Sequence, residues 1–89
     1  MSVKPMEHEL SEHARESLRK RAVIQVIWLE RTLAQPQLVE PNKIDPELEH
    51  RLLCIEEYEG RVLRVIVNKT RHPLRVITAH FDRAMRNRL

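Results

Sequence analysis

Tyr58-Glu59-Gly60-Arg61-Val62-Leu63-Arg64-Val65-Ile66-Val67-Asn68 holds the only glycine of the chain, set just before a run of branched apolar residues. That pattern reads as the turn and second arm of a β-hairpin. His50–Glu57 supplies the first arm, and Leu74–Phe81 reads as a third strand after the loop Lys69-Thr70-Arg71-His72-Pro73. Successive side chains point to opposite faces of a strand, so a register sorts them to two sides. A two-residue turn at Glu59-Gly60 sets Tyr58 opposite Arg61 and Cys54 opposite Val65; Val65 in turn is set opposite Ile77. One face then carries Leu52, Cys54, Leu63, Val65, Val67, Ile77, Ala79 and Phe81, a core face for helices to cover. The other carries Arg51, Ile55, Val62, Arg64, Ile66, Val76, Thr78 and His80. Slipping the last strand by one residue would turn Ile77 and Phe81 outward, stranding apolar surface worth about 2 kcal/mol per side chain. The register that gathers Arg64, Thr78 and His80 on an open face is therefore favoured.

Upstream, Ser11 is a good helix N-cap and Glu12 suits the positive end of the helix dipole. Leu10, Ala14 and Leu18 recur every four residues, which predicts a first helix running to about Lys20. A second helix is predicted from about Ile24 to Ala34, stopped by Pro36. It is apolar on most of its circumference, so Val23–Leu29 is expected to need cover from a homodimer or a companion chain. Gln35–Pro46, with Pro36, Pro41 and Pro46, reads as a loop with at most a short extended edge. Residues 1–10 are expected to be a flexible N-terminus, and residues 11–89 a single domain. The fold class predicted is α+β: two N-terminal helices on an antiparallel sheet of three to four strands.

With 89 residues and 10.6 kDa, the chain has room for one small core. The longest apolar stretch, Ala22–Leu29, is broken by Gln25 and far too short to span a bilayer. The N-terminus has no apolar segment of a signal peptide, so a soluble, cytoplasmic protein without membrane contact is expected. Its single cysteine excludes an internal disulfide framework and a cysteine-based zinc site. Cys54, placed on the apolar face, is expected to be inert packing. His8 and His13 imitate a HExxH motif but are five residues apart, roughly 140° around a helix, and cannot share a metal. No metal or cofactor is expected.

Charge is distributed unevenly. Residues 1–60 carry eight Lys/Arg and twelve Asp/Glu, whereas residues 61–89 carry eight Lys/Arg against Asp82 alone. Twelve of the sixteen cations are arginine, whose planar fork suits phosphate. A basic C-terminal third points to a polyanionic partner.

Several segments recur together in one family. They are Ser11-Glu12-His13-Ala14-Arg15, Arg21, Trp28-Leu29-Glu30-Arg31-Thr32-Leu33 with Pro36, and His50-Arg51-Leu52. Downstream come Arg61–Asn68 and Arg75-Val76-Ile77-Thr78-Ala79-His80-Phe81-Asp82-Arg83. Over residues 11–86 these resemble a bacterial domain family of unknown function that begins with a Ser-x-His-Ala-Arg helix. That family looks like a relative of BrnT and the RelE/ParE superfamily of small toxins. The resemblance implies a type II toxin–antitoxin module, in which a small toxin is neutralised by a cognate antitoxin protein. RelE- and BrnT-like members cleave RNA without metal, whereas ParE-like members inhibit DNA gyrase and are not nucleases. Relatives often have Tyr where His80 stands.

The leading expectation is a metal-independent endoribonuclease acting on RNA, free or as messenger on the ribosome. Such cleavage needs a base for the 2′-hydroxyl, an acid for the leaving oxygen and cations for the phosphorane charge. Arg64 and Arg83 are assigned to charge stabilisation, His80 to proton transfer and His13 to the second proton-transfer role. Arg15, Arg51, Thr78 and Arg86 are assigned to substrate binding. Arg64, between Leu63 and Val65, is expected to have no carboxylate partner. The alternatives are a ParE-like toxin acting on a protein target and an inactive toxin-like binding domain.

Overall fold

The computed structural model describes residues 6–20 and 23–89. Residues 1–5 of the expected flexible N-terminus lie outside them, as does Arg21. Two helices, α1 (Glu12–Lys20) and α2 (Val26–Ala34), lie on one face of a five-stranded sheet. The strands are β1 (His8–Leu10), β2 (Leu38–Pro41), β3 (Leu48–Ile55), β4 (Arg61–Asn68) and β5 (Leu74–Phe81), in spatial order β1-β5-β4-β3-β2. The α+β class stands, but the sheet has five strands and is mixed, because β1 runs parallel to β5. His8–Leu10, read as part of a frayed end, is thus an edge strand; three residues are too few to display an alternation. The extended edge expected between the prolines is β2, antiparallel to β3.

Ser11 joins β1 to α1. Its hydroxyl accepts from Ala14 N at 3.0 Å and donates to Ile77 O at 3.0 Å, while its own N–H donates to Val76 O at 2.9 Å. One small side chain therefore caps the helix and pins it to β5. The second helix starts two residues later than predicted, with Gln25 extended at its N-cap and Ile24 buried in the core. Ala14, Ile24, Trp28, Leu29 and Leu33 pack against Leu53, Ile55, Leu63, Val65, Val67, Val76 and Ala79. Trp28, Tyr58 and Phe81, all the aromatics of the chain, meet at one end of this core with centroids 5.1–6.2 Å apart. Val23, just before α2, and Val26 and Ile27 on it stay exposed, while Trp28 is buried.

The hairpin differs from the two-residue turn expected. Glu56–Tyr58 forms a 3-10 turn, and Glu59 and Gly60 both take left-handed conformations, φ 56° and 66°. Ile55, rather than Tyr58, lies opposite Arg61, and Arg51, rather than Cys54, lies opposite Val65. The offset of three residues is odd, so every side chain of β3 changes face. Leu53 and Ile55 enter the helix-side core. His50, Leu52 and Cys54 move to the far side, and Arg51 moves to the helix side. In β4 and β5 the residues first assigned inward remain so, except Ile77. A bulge there lets Val67 pair with Val76, which takes the core position while Ile77 is only half-buried.

Candidate functional site

The far face of the sheet is built from alternate residues of β2, β3, β4 and β5, with Arg64 near its centre. Arg64 lies directly opposite Leu52 on one side and His80 on the other, and Thr78 pairs with Ile66 one step along the same face. Leu52 and Val62 are fully buried on this side, outside the helix-side cluster, and give the face an apolar floor. A final 3-10 turn, Arg83–Met85, folds back against β4.

Contrary to the expectation, Arg64 has carboxylate partners. Its Nε and Nη2 both reach Asp82 Oδ2 at 2.8 Å, and Nη1 reaches Glu40 Oε1 at 3.2 Å. Nη1 also lies 2.7 Å from His50 Nδ1. The His50 Nε2 faces Asn42 Nδ2 at 2.9 Å, and Asn42 is oriented by its Oδ1 accepting from Ile44 N and Asp45 N. Both ring nitrogens of His50 are thus engaged, Nδ1 by the Arg64 guanidinium and Nε2 by the Asn42 amide. Burial and the Arg64 charge push its pKa below the usual imidazole value, outweighing the opposite pull of Glu40. Burial would raise the Asp82 carboxyl, but the Arg64 hydrogen bond, the Ala84 N–H and the nearby His80 together hold it below the ordinary aspartate value.

Beside this network, Arg61, Val62, His80, Phe81, Asp82, Arg83 and Arg86 line a groove of about 540 Å³. Arg61 stacks on the Tyr58 ring, its guanidinium carbon 4.8 Å from the centroid, with Nη2 3.4 Å from Glu59. Its Nε is buried with no hydrogen-bond partner among the described residues. Arg86 Nη2 donates to Glu59 O at 3.3 Å, closing the groove against the hairpin turn. Three guanidinium groups, an imidazole and one carboxylate therefore surround a cleft with an apolar wall. Such a cleft can hold a phosphodiester, with an imidazole beside it.

The structure brings together His80, Arg83 and Arg86 in the groove, with Arg64 adjacent through Asp82 and Thr78 farther along the face. It does not bring in His13, Arg15 or Arg51. His13 and Arg15 are exposed on α1, in a separate shallow depression with Glu12, Glu16 and Arg19, and the sheet stands between α1 and His80. Arg51 is on the helix side, where Nη1 donates to Leu33 O at 2.9 Å and Nε to Glu49 at 3.1 Å. It closes the C-terminal end of α2 and is not available to the far face. Cys54 is on that far face, not the apolar core side; Sγ donates to Glu56 Oε1 and Gly60 O at 3.4 Å. Burial, then Glu56, raises its pKa, so the thiol stays protonated at neutral pH. Sequence reasoning missed Arg61, Asp82, His50 and Glu40. Asp82 had a visible signal, being the one acid in an otherwise cationic third.

Among the described residues, no three His, Cys, Asp or Glu side chains gather as a metal-ligating group. No helix among them is long and apolar enough to cross a membrane. Residues 10–81 match a domain of unknown function, DUF4258. No curated protein and no solved structure matches the chain.

Proposed function

We propose that this chain, which belongs to the DUF4258 family of domains of unknown function, is a metal-independent endoribonuclease of the toxin–antitoxin kind. The observation that carries the reading is the groove in which His80 lies among Arg61, Arg83 and Arg86, with Asp82 beside it. Its chemistry suits a single RNA phosphodiester. His80 takes the proton of the 2′-hydroxyl, whose oxygen attacks phosphorus. The bond from phosphorus to the 5′-oxygen breaks, leaving a 2′,3′-cyclic phosphate and a 5′-hydroxyl. Water at the groove mouth supplies the leaving oxygen with its proton, since His13 is too far round the fold to do so. Arg61 and Arg83 offset the charge that grows on the phosphorane, and Arg86 holds a flanking phosphate. Arg15 would meet RNA only beyond the groove. The companion antitoxin would cover Val26 and Ile27 on α2 and Val23 just before it, which the fold leaves exposed.

The test is incubation of pure protein with single-stranded RNA in EDTA, followed by end analysis of the products. Cleavage to cyclic-phosphate and 5′-hydroxyl ends, lost by a hundredfold or more in His80→Ala, is the expected result, a range typical of general acid–base catalysis. No cleavage, or cleavage indifferent to His80→Ala, refutes the assignment.

A further inference from the structure

The turn that carries Arg83 and Arg86 needs an anchor. It begins directly after the last strand, and a 3-10 segment of three residues has little stability of its own. It also brings two further cations to a groove that already holds Arg61, so like charges oppose its closure. Asp82 is the one acid of residues 61–89 and sits at this junction. Its two carboxylate oxygens are divided: Oδ2 takes both hydrogen bonds from Arg64, and Oδ1 accepts from Ala84 N at 2.9 Å. The backbone is tied as well, with Asp82 N donating to Val62 O at 2.8 Å and Met85 N to Asp82 O at 3.3 Å. Behind Arg64 stand Glu40 of β2 and His50 of β3, both on its Nη1. A line of polar contacts thus runs from the sheet edge, through the centre of the far face, into the basic turn.

We infer that Arg64 and Asp82 are positioning residues, a latch that fixes the Arg83–Met85 turn and so sets the spacing of Arg83 and Arg86 across the groove. Arg64 is spent on the latch and does not itself meet the phosphate. The anion contacts belong to the residues the latch holds. This inference rests on the groove being a phosphodiester site, but the latch has a readout that needs no RNA.

That readout is hydrogen exchange at the Ala84 amide in the full chain. Asp82→Ala and Arg64→Ala should each speed exchange there, whereas Arg64→Lys should restore part of the protection by keeping a charged donor. The second readout is the salt dependence of binding to a single-stranded oligonucleotide. Each phosphate contact contributes about 0.7 to the log–log slope, so losing the ordered pair Arg83 and Arg86 should make the slope shallower by about 1.4. Asp82→Ala should produce that loss, and adding Arg83→Ala and Arg86→Ala to it should produce little more. Asp82→Asn, which keeps an oxygen for Ala84 N but loses the charge, should fall between. Full additivity of Asp82→Ala with the two arginine variants, or an unchanged Ala84 exchange rate in Asp82→Ala, overturns the latch. Changed Ala84 exchange in a protein that binds no oligonucleotide at any salt upholds the latch and defeats the phosphodiester site.

Discussion

Replacing Arg64 by Met keeps an unbranched stem in place of the arginine's and removes every charge contact it makes. The structure makes the cost large for a residue in mid-sheet. Arg64 and Asp82 keep only 15% and 18% of their side-chain surface exposed, and Glu40, at 44%, lies on the other flank. Removing one member of a fully buried pair costs about 3–5 kcal/mol, because the remaining charge is stranded. Partial exposure brings that down to about 2–3 kcal/mol, still well above the roughly 0–1 kcal/mol of an exposed pair. With a urea m-value of about 1 kcal/mol per molar for a domain this small, the unfolding midpoint should fall by about 2–3 M. The difference should also depend on pH. The folded Asp82 pKa is depressed below its ordinary 3.8, so its contribution is complete above that value and lost as pH falls through the folded one. Urea titrations at pH 7 and pH 2.5 should therefore show wild type and Arg64→Met converging in acid. A midpoint change under about 0.5 M, or a difference of equal size at both pH values, would refute the stranded-charge reasoning.

Two other side chains allow equally direct checks. Ser11→Ala removes the acceptor for Ala14 N and the donor to Ile77 O at an 8% exposed site, so it should cost about 1–2 kcal/mol in urea unfolding. Glu57 receives both Nη1 and Nη2 of Arg31, at 2.9 and 3.0 Å, and that pairing, helped by a backbone N–H and Trp28, pulls its carboxyl down to about 2. An NMR titration of Glu57 should find it ionised through most of the acid range and move it up toward the ordinary glutamate range in Arg31→Ala. No change on removing Arg31 would mean the pair is not formed in solution.

How far these features could be read in the sequence depends on parity. β4 and β5 were registered two residues from their true pairing, with Arg64 set against Thr78 in place of His80. From Leu63 to Ile66 that even offset leaves the faces intact, so Arg64 and His80 share the open side as expected, and only beyond the bulge do Val76 and Ile77 exchange roles. β3 was misplaced by three, an odd error, and the whole strand turned over. The cause is local: Glu56, Glu57 and Tyr58 carry no signal against continuing a strand, yet they coil into a 3-10 turn, and Glu59 joins Gly60 in the left-handed region. A glutamate at positive φ is not a residue that sequence patterns announce. The bulge at Ile77 is equally silent, because Val76 and Ile77 are both apolar and branched, and either could face the core. What separates them is Ser11, whose hydroxyl and N–H hold two successive β5 carbonyls from a strand too short to be recognised.

The site follows the same logic one level up. That residues 61–89 are cationic is plain from composition, but composition does not say which guanidinium groups stay available to a ligand. Arg51 was assigned to phosphate because it was put on the far face; turning β3 over delivers it to the Leu33 carbonyl instead. The same turn delivers His50 to Arg64, and the β2–β3 pairing adds Glu40 opposite His50. Arg64, buried in mid-sheet, is therefore neutralised by two carboxylates, while Arg61, Arg83 and Arg86, near the turns, keep the groove positive. Charge near a strand centre must be balanced by the fold before the chain can be stable, because desolvation leaves no cheaper solution. Charge at a strand end or turn escapes that demand, being partly hydrated. In a small sheet protein with a basic terminus, the groove at the end of the strands is accordingly the place where cations can remain for a ligand. His80, Arg83 and Arg86, expected from the sequence to meet the substrate, do lie together in that groove. Arg64, expected there without a carboxylate, is instead held by Asp82 and Glu40 beside the groove.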